Sequence, residues 1–156
     1  MTKNWSVGDA PNGGMQMAMA ISAARKVIPF RDPLTMTAYY CNKALEEEAV
    51  DIEVKTLNAT KGSATVSVSL TQHGVLRSHY VGTFSSLESQ KGLNFSNLPQ
   101  APQLPPPDEC VDCSAKLRKK FGEHLRVAQR VEFRAPKDDP FVLGALLQQK
   151  VPINNP

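Results

Sequence analysis

These 156 residues predict an α+β fold, one helix laid on an antiparallel sheet. Three observations carry that expectation. A small-residue, Ala- and Met-rich segment near the N-terminus has helical spacing. About four long segments with two-residue alternation come after it. The links between the last of these are short, "NATKG" at 58–62 and "HG" at 73–74, as in a meander with hairpin turns.

Residues 1–8, "MTKNWSVG", read as the end of a strand or an entry loop. The stretch "DAPNGGMQMAMAIS" at 9–22 then opens a helix expected over 12–27. Asn12 is a capping residue type, and Met15, Met19, Ser22 and Ala23 recur at helical spacing, with Ala18 and Ile21 between them. Its many alanines suggest close packing on nearly all sides, so a buried central helix is expected. Arg25 and Lys26 suit the last turn and Pro29 ends the segment.

Strand signals follow. "LTMTAYYC" (34–41) comes after the turn-opening Asp32-Pro33. "AVDIEVKTL" (49–57) alternates Val50, Ile52 and Val54 with charges. "SATVSVSLTQ" (63–72) alternates Ala64, Val66, Val68 and Leu70 with hydroxyls, and "VLRSHYVGTFSSL" (75–87) centres on His79–Phe84. Tyr39, Tyr40 and Phe84 are expected in the core, and Glu46, Glu47 and Glu48 in a solvated loop.

The character changes at 88–107. Five prolines in the ten residues 98–107 mark a polyproline linker or a strapped surface segment. Beyond it, 114–125 is expected as a short helix, 126–135 ("RVAQRVEFRA") as a strand, and 138–151 as a short helix. The domain reading is therefore one unit over 1–97, a Pro-rich linker over 98–113, and a helix, strand and tail over 114–156.

Composition narrows the function classes. Hydrophobic residues make up 41% of the chain, enough for one core. The net charge of +3 is evenly mixed, with nine basic and eight acidic residues in 1–98 and nine and seven in 99–156. That is no nucleic-acid footprint, which needs a clustered basic face; Arg118, Lys119 and Lys120 read as a solvated helix face. No apolar run reaches membrane-spanning length and no secretory signal is visible, so an intracellular, by default cytoplasmic, protein is expected. The ending "NNP" is not a peroxisomal signal. Three cysteines do not make a disulfide framework. Cys110 and Cys113 form a C-x-x-C, but His124 is the only nearby candidate to extend it and a fourth ligand is missing, so no metal site is expected. No phosphate-binding or dinucleotide fingerprint is present either, and no cofactor is expected.

The helix opened by "PNGG", then "DPLTMTAYY", then "VDIEVKTL" paired with "GSATVSVSLTQHGV", and last "SHYVGTF", resemble the hotdog fold in their order and spacing. More narrowly they resemble the acyl-CoA thioesterase II type, in which two hotdog units share one chain. The resemblance covers roughly residues 5–87. It implies a central helix wrapped by a curled antiparallel sheet, and an acyl-CoA or other acyl thioester as partner. It also implies a homodimer or paired hotdog units, because such sites need two. A hotdog unit of this type has a further strand ahead of the segment around Trp5, which only four residues precede. A shortened chain is expected, one nearly complete unit plus either the start of a second or an added edge strand over 126–135.

The candidate site starts at Asn12, Gly13 and Gly14. A helix N-terminus carries unpaired N–H groups and partial positive charge, and glycine admits a ligand oxygen close to the backbone. Negative charge develops on a thioester oxygen during hydrolysis, and such donors would stabilise it. The resemblance implies that role for the Gly-Gly start, with Gly14 as its catalytic member. Hydrolysis further needs an activated water. The helix stretch 18–22, where related single-unit thioesterases carry an acid, holds no Asp or Glu; Gln16 is the first polar side chain of the helix and Ser22 the next. Gln72, in "LTQHG", resembles the water-holding glutamine of the family, or is a polar residue on the wet face beside the hairpin. Thr35 and Thr37 lie on a strand beside the helix, where either offers a hydroxyl to a pocket or serves only as a strand former. His79 is either a buried hydrogen-bonded residue or a base. Two functions follow: an acyl-CoA thioesterase, or a non-catalytic acyl-thioester-binding or structural module.

Overall fold

The structure is a computed structural model and describes residues 1–92 and 99–139. The chain forms two compact units, Met1–Asn94 and Phe95–Pro156.

In the first unit a 3-10 turn at Lys3–Trp5 leads into a small hairpin of β1 (Ser6–Val7) and β2 (Ala10–Pro11). Helix α1 spans Gly13–Ala24, and four strands follow: β3 (Asp32–Tyr40), β4 (Asp51–Ala59), β5 (Ser63–Gln72) and β6 (Val75–Ser85). They form one antiparallel sheet in the order β3-β6-β5-β4. All four expected strands are present, β5 with the expected bounds, β6 two residues shorter at its end, and β3 and β4 shifted by one or two residues at both ends.

The expected hairpin at "HG" is a two-residue turn in which His73 and Gly74 both have positive φ, 51° and 75°. Two left-handed residues match the twist of the flanking strands, which is why this turn fixes the β5–β6 register. On the sheet face beneath α1, Ala64 pairs with Phe84, Val66 with Gly82, Val68 with Tyr80 and Leu70 with Ser78. These residues are buried, and Ala20, Ala24 and Ile28 close the core from the helix side. Alanine at 20 and 24 lets the helix backbone approach the sheet closely.

Two expectations about α1 need correction. The helix ends at Ala24, because Lys26, Val27 and Ile28 bond back to Ala23 and Ala24 in a tighter turn that tucks Ile28 into the core. It is also not buried all round: Gln16, Ala20 and Ala24 are buried, whereas Gly14, Ala18 and Ser22 on the opposite face are exposed. A four-stranded sheet on one side covers one face of a helix, and Ala18 on the other side is exposed. Tyr39 and Tyr40, expected in the core with Phe84, are 56% and 54% exposed, because β3 is an edge strand.

In the second unit, β7 (Val111–Asp112) pairs with β8 (Arg134–Ala135) around α2 (Ser114–Phe121). Gly122, at φ 51°, stops α2 short of the expected 125. The continuous strand expected over 126–135 is instead a 3-10 turn at Arg126–Gln129 followed by the two-residue β8. Arg118 holds that turn by donating to the Ala128 carbonyl at 3.2 Å, a contact that alternation in sequence does not encode. The Asp112 carboxylate accepts from the Ser114 N–H at 2.8 Å, and hydrogen bonding to Ser114 holds it below the usual carboxylate range. The helix expected over 138–151 lies outside the described residues from 140 onward.

Candidate functional site

An open cavity of about 480 Å³ sits at the start of α1. Its floor is Ala10 and Pro11 of β2 with Gly13 and Gln16 of α1, and its wall is the chain leaving β3, from Tyr40 to Ala44. Each part is held from below. The Asn12 side chain caps the helix by accepting from the Gly14 N–H at 2.8 Å, and the Asn12 N–H donates to the Trp5 carbonyl at 3.0 Å. Gln16 is buried with both ends of its amide engaged, donating to the Pro11 carbonyl at 3.0 Å and accepting from the Ser78 hydroxyl at 3.0 Å. It therefore orders the floor and does not reach outward.

The wall is tied to the ends of β5 and β6. The Cys41 and Asn42 N–H groups donate to the Arg77 carbonyl at 2.9 and 3.0 Å, and the Arg77 guanidinium donates to the Lys43 carbonyl at 2.9 Å. Gln72 completes the clamp. Its oxygen accepts from the Leu45 N–H at 2.8 Å, and its nitrogen donates to the carbonyls of Leu45 at 3.0 Å and Glu48 at 3.5 Å. The side chain is 1% exposed, so neither the wet-face position nor an open amide facing water describes it in this chain.

Of the expected site residues, the cavity brings together Gly13 and Gln16. Asn12 is the cap beside it. Gly14 is exposed on the other side of the helix with its N–H taken by Asn12, so of the two glycines only Gly13 has an N–H without an acceptor among the described residues. Thr37 is exposed on β3 opposite Val81, and neither it nor Gln72 lines the cavity. His79 is half-buried and bonds Ser69 at 3.0 Å.

Sequence reasoning missed Tyr40, Asn42 and Lys43 as lining residues. A methyl placed on Gly13 would stand 2.6 Å from the Tyr40 hydroxyl oxygen, so the phenol rests directly on the helix start. Its ring meets Tyr80 edge to face, with centroids 6.2 Å apart. The Tyr80 hydroxyl is completely buried with no partner at hydrogen-bonding geometry among the described residues, and its pKa is pushed up to about 12, chiefly by burial. Lys43 is ion-paired with Asp9 of the β1–β2 turn, and no lining residue is a carboxylate. Among the described residues no group of His, Cys, Asp and Glu is placed to hold a metal ion. Nor is any helix among them long and apolar enough to cross a membrane.

Residues 1–85 match the family model of the acyl-CoA thioesterase N-terminal domain. The chain belongs to this family. Solved structures agree on the fold. A proposed thioesterase of Novosphingobium aromaticivorans is similar with a TM-score of 0.73 at 20% identity, over 91% of this chain and 55% of its own. A proposed thioesterase II of Thermobifida fusca has a TM-score of 0.64 at 20% identity, over 72% of this chain and 41% of its own. A protein of unknown function with a hot dog fold from Alicyclobacillus acidocaldarius gives 0.60 at 20% identity, again over 72% and 41%. The chain thus has the hotdog fold, and it spans about half the length of the structures it matches. No curated protein sequence matches it.

Proposed function

We propose that this chain binds a fatty acyl-CoA, or another acyl thioester, at the α1 cavity. The observation that carries the reading is the Gly13 N–H at the floor of that cavity, without an acceptor among the described residues, at the positive end of a three-turn helix. Asn12 and Gln16 order the turn that presents it. Gln72 supports the site through the chain that follows the wall, at 45–48, and not by holding water, since its amide is engaged by Leu45 and Glu48. Thr37, exposed on the edge strand, would reach a ligand only at a surface covered by a paired unit.

Binding without hydrolysis is the form favoured for the chain alone. Hydrolysis needs a base for the attacking water, and neither α1 between 18 and 22 nor the cavity lining supplies a carboxylate. A thioesterase acting in fatty acid metabolism would draw that base from a second hotdog unit, in a homodimer or a partner chain. The exposed face of α1 at Gly14, Ala18 and Ser22 is consistent with such pairing.

Calorimetry with an acyl-CoA chain-length series, run beside free-thiol detection and a mass measurement, tests the reading. Saturable binding with no thiol release by the monomer is the expected result. Turnover confined to a dimer would assign hydrolysis to paired units. Absence of both binding and turnover at every chain length would overturn the proposal.

A further inference from the structure

The helix start is short of donors for the role just proposed, on which this inference rests. An oxygen gaining negative charge is best met by two hydrogen-bond donors. Asn12 occupies the Gly14 N–H, which leaves the Gly13 N–H as the glycine pair's only contribution. A side chain at the cavity can supply the second donor. The lining offers Asn42, Lys43 and Tyr40 as side-chain N–H or O–H donors. The Asn42 amide donates to the Leu76 carbonyl at 2.9 Å, and the Lys43 ammonium is paired with Asp9. Each of these is held toward another partner by one of its hydrogens and keeps others, but Tyr40 is the lining residue whose hydroxyl stands against Gly13.

We infer that the Tyr40 hydroxyl is the second donor to the thioester carbonyl oxygen of a ligand held on Gly13, and so selects the acyl thioester over free coenzyme A. Two further observations support it. Gly13 has no side chain at a position where any Cβ would push the phenol away, 2.6 Å from its oxygen and 2.8 Å from the ring carbon that bears it. Beside it the Tyr80 hydroxyl is fully buried with no partner at hydrogen-bonding geometry among the described residues, and the Tyr80 ring meets that of Tyr40 edge to face. An orphaned buried hydroxyl is costly. Ser78 donates to Gln16 at 3.0 Å, so polar groups continue beneath the cavity floor.

The test compares wild type with Tyr40→Phe, which keeps the ring and its packing, using octanoyl-CoA and free coenzyme A. The expected result is roughly ten-fold weaker binding of octanoyl-CoA by the variant, with coenzyme A affinity unchanged. The infrared carbonyl band of carbonyl-labelled octanoyl-CoA is expected to shift to lower frequency on wild type and to shift less on the variant. Equal octanoyl-CoA affinity and an equal band shift in the two proteins would overturn the role of Tyr40 while leaving the site intact. Failure of wild type to bind either compound would instead remove the site reading itself. An unchanged melting temperature for Tyr40→Phe separates a contact to ligand from damage to the fold.

Discussion

The phenol of Tyr40 rests on Gly13, close enough that a methyl group on the glycine would lie 2.6 Å from the hydroxyl oxygen. The two residues are 27 positions apart and meet because β3 delivers its last residue to the first turn of α1. Gly13→Ala therefore sets a local gain against a local clash. Alanine is the better helix former, and the clashing atoms are the far end of a half-exposed side chain that can rotate outward. Denaturant unfolding should change by less than about 1 kcal/mol, while octanoyl-CoA affinity falls at least as far as in Tyr40→Phe. Unchanged affinity would show that the phenol and the backbone at Gly13 are not part of a common contact.

Gly82 is the opposite case. A Cβ there would stand 2.8 Å from the Thr35 backbone carbonyl oxygen and 2.9 Å from the Met36 sulfur, at the point where β3 and β6 pair. A backbone atom in a sheet cannot swing aside. Gly82→Ala is expected to destabilise the first unit by about 1–3 kcal/mol, whereas Gly62→Ala, which meets nothing within 4 Å, should not. Urea midpoints of the two variants check this, and equal midpoints would contradict it.

Gln72 binds the chain just beyond the cavity wall to the sheet. Gln72→Leu keeps the volume but leaves the Leu45 N–H and the carbonyls of Leu45 and Glu48 without their partner. A loss of about 1–3 kcal/mol is expected, together with faster amide hydrogen exchange at Leu45. Full stability with loss of function would instead point to a direct part for Gln72 in chemistry.

Tyr80 makes stability depend on pH at the alkaline end. Its folded pKa is raised from 10.0 to about 12 by burial, with Tyr40 adding and Ser78 opposing. The neutral phenol is the form that the folded chain favours. Its contribution is fully present below pH 10 and is lost as pH rises through about 12. Wild type should therefore lose more stability than Tyr80→Phe between those values in melts followed by circular dichroism. Parallel loss in both proteins would show that Tyr80 does not ionise on unfolding.

Much of the first unit was legible in the residues. Alternation in "SATVSVSLTQ" and "VLRSHYVGTF" sets which side chains face inward, because strand side chains alternate with period two. "HG" sets the register because both residues must take positive φ. Asn12 ahead of Gly13 and Gly14 marks the cap. What failed was burial that depends on neighbours. The alanines of α1 suggest packing on all sides, but one sheet covers one face. Tyr40 reads as core, yet an edge strand leaves it half open. In 126–135 the alternation of Val127, Val131 and Phe133 suggests a strand, and the contact from Arg118 holds part of it as a 3-10 turn.

The candidate site divides in the same way. Local chemistry identified a helix start with glycines and a capping side chain, since capping needs only neighbours in the chain. It could not tell that the cap would consume the Gly14 N–H as a donor, nor that both Gln16 and Gln72 would spend their amides on backbone and buried hydroxyl groups. Those outcomes depend on which distant atoms lie within about 3 Å, such as Ser78 against Gln16 and Leu45 against Gln72. The sequence by itself determined the hotdog order of helix and strands, because periodicity and turn chemistry are local. Only the tertiary structure decided that Gly13 and Tyr40 share a cavity, because hydrogen-bond and steric reach act through space and not along the chain.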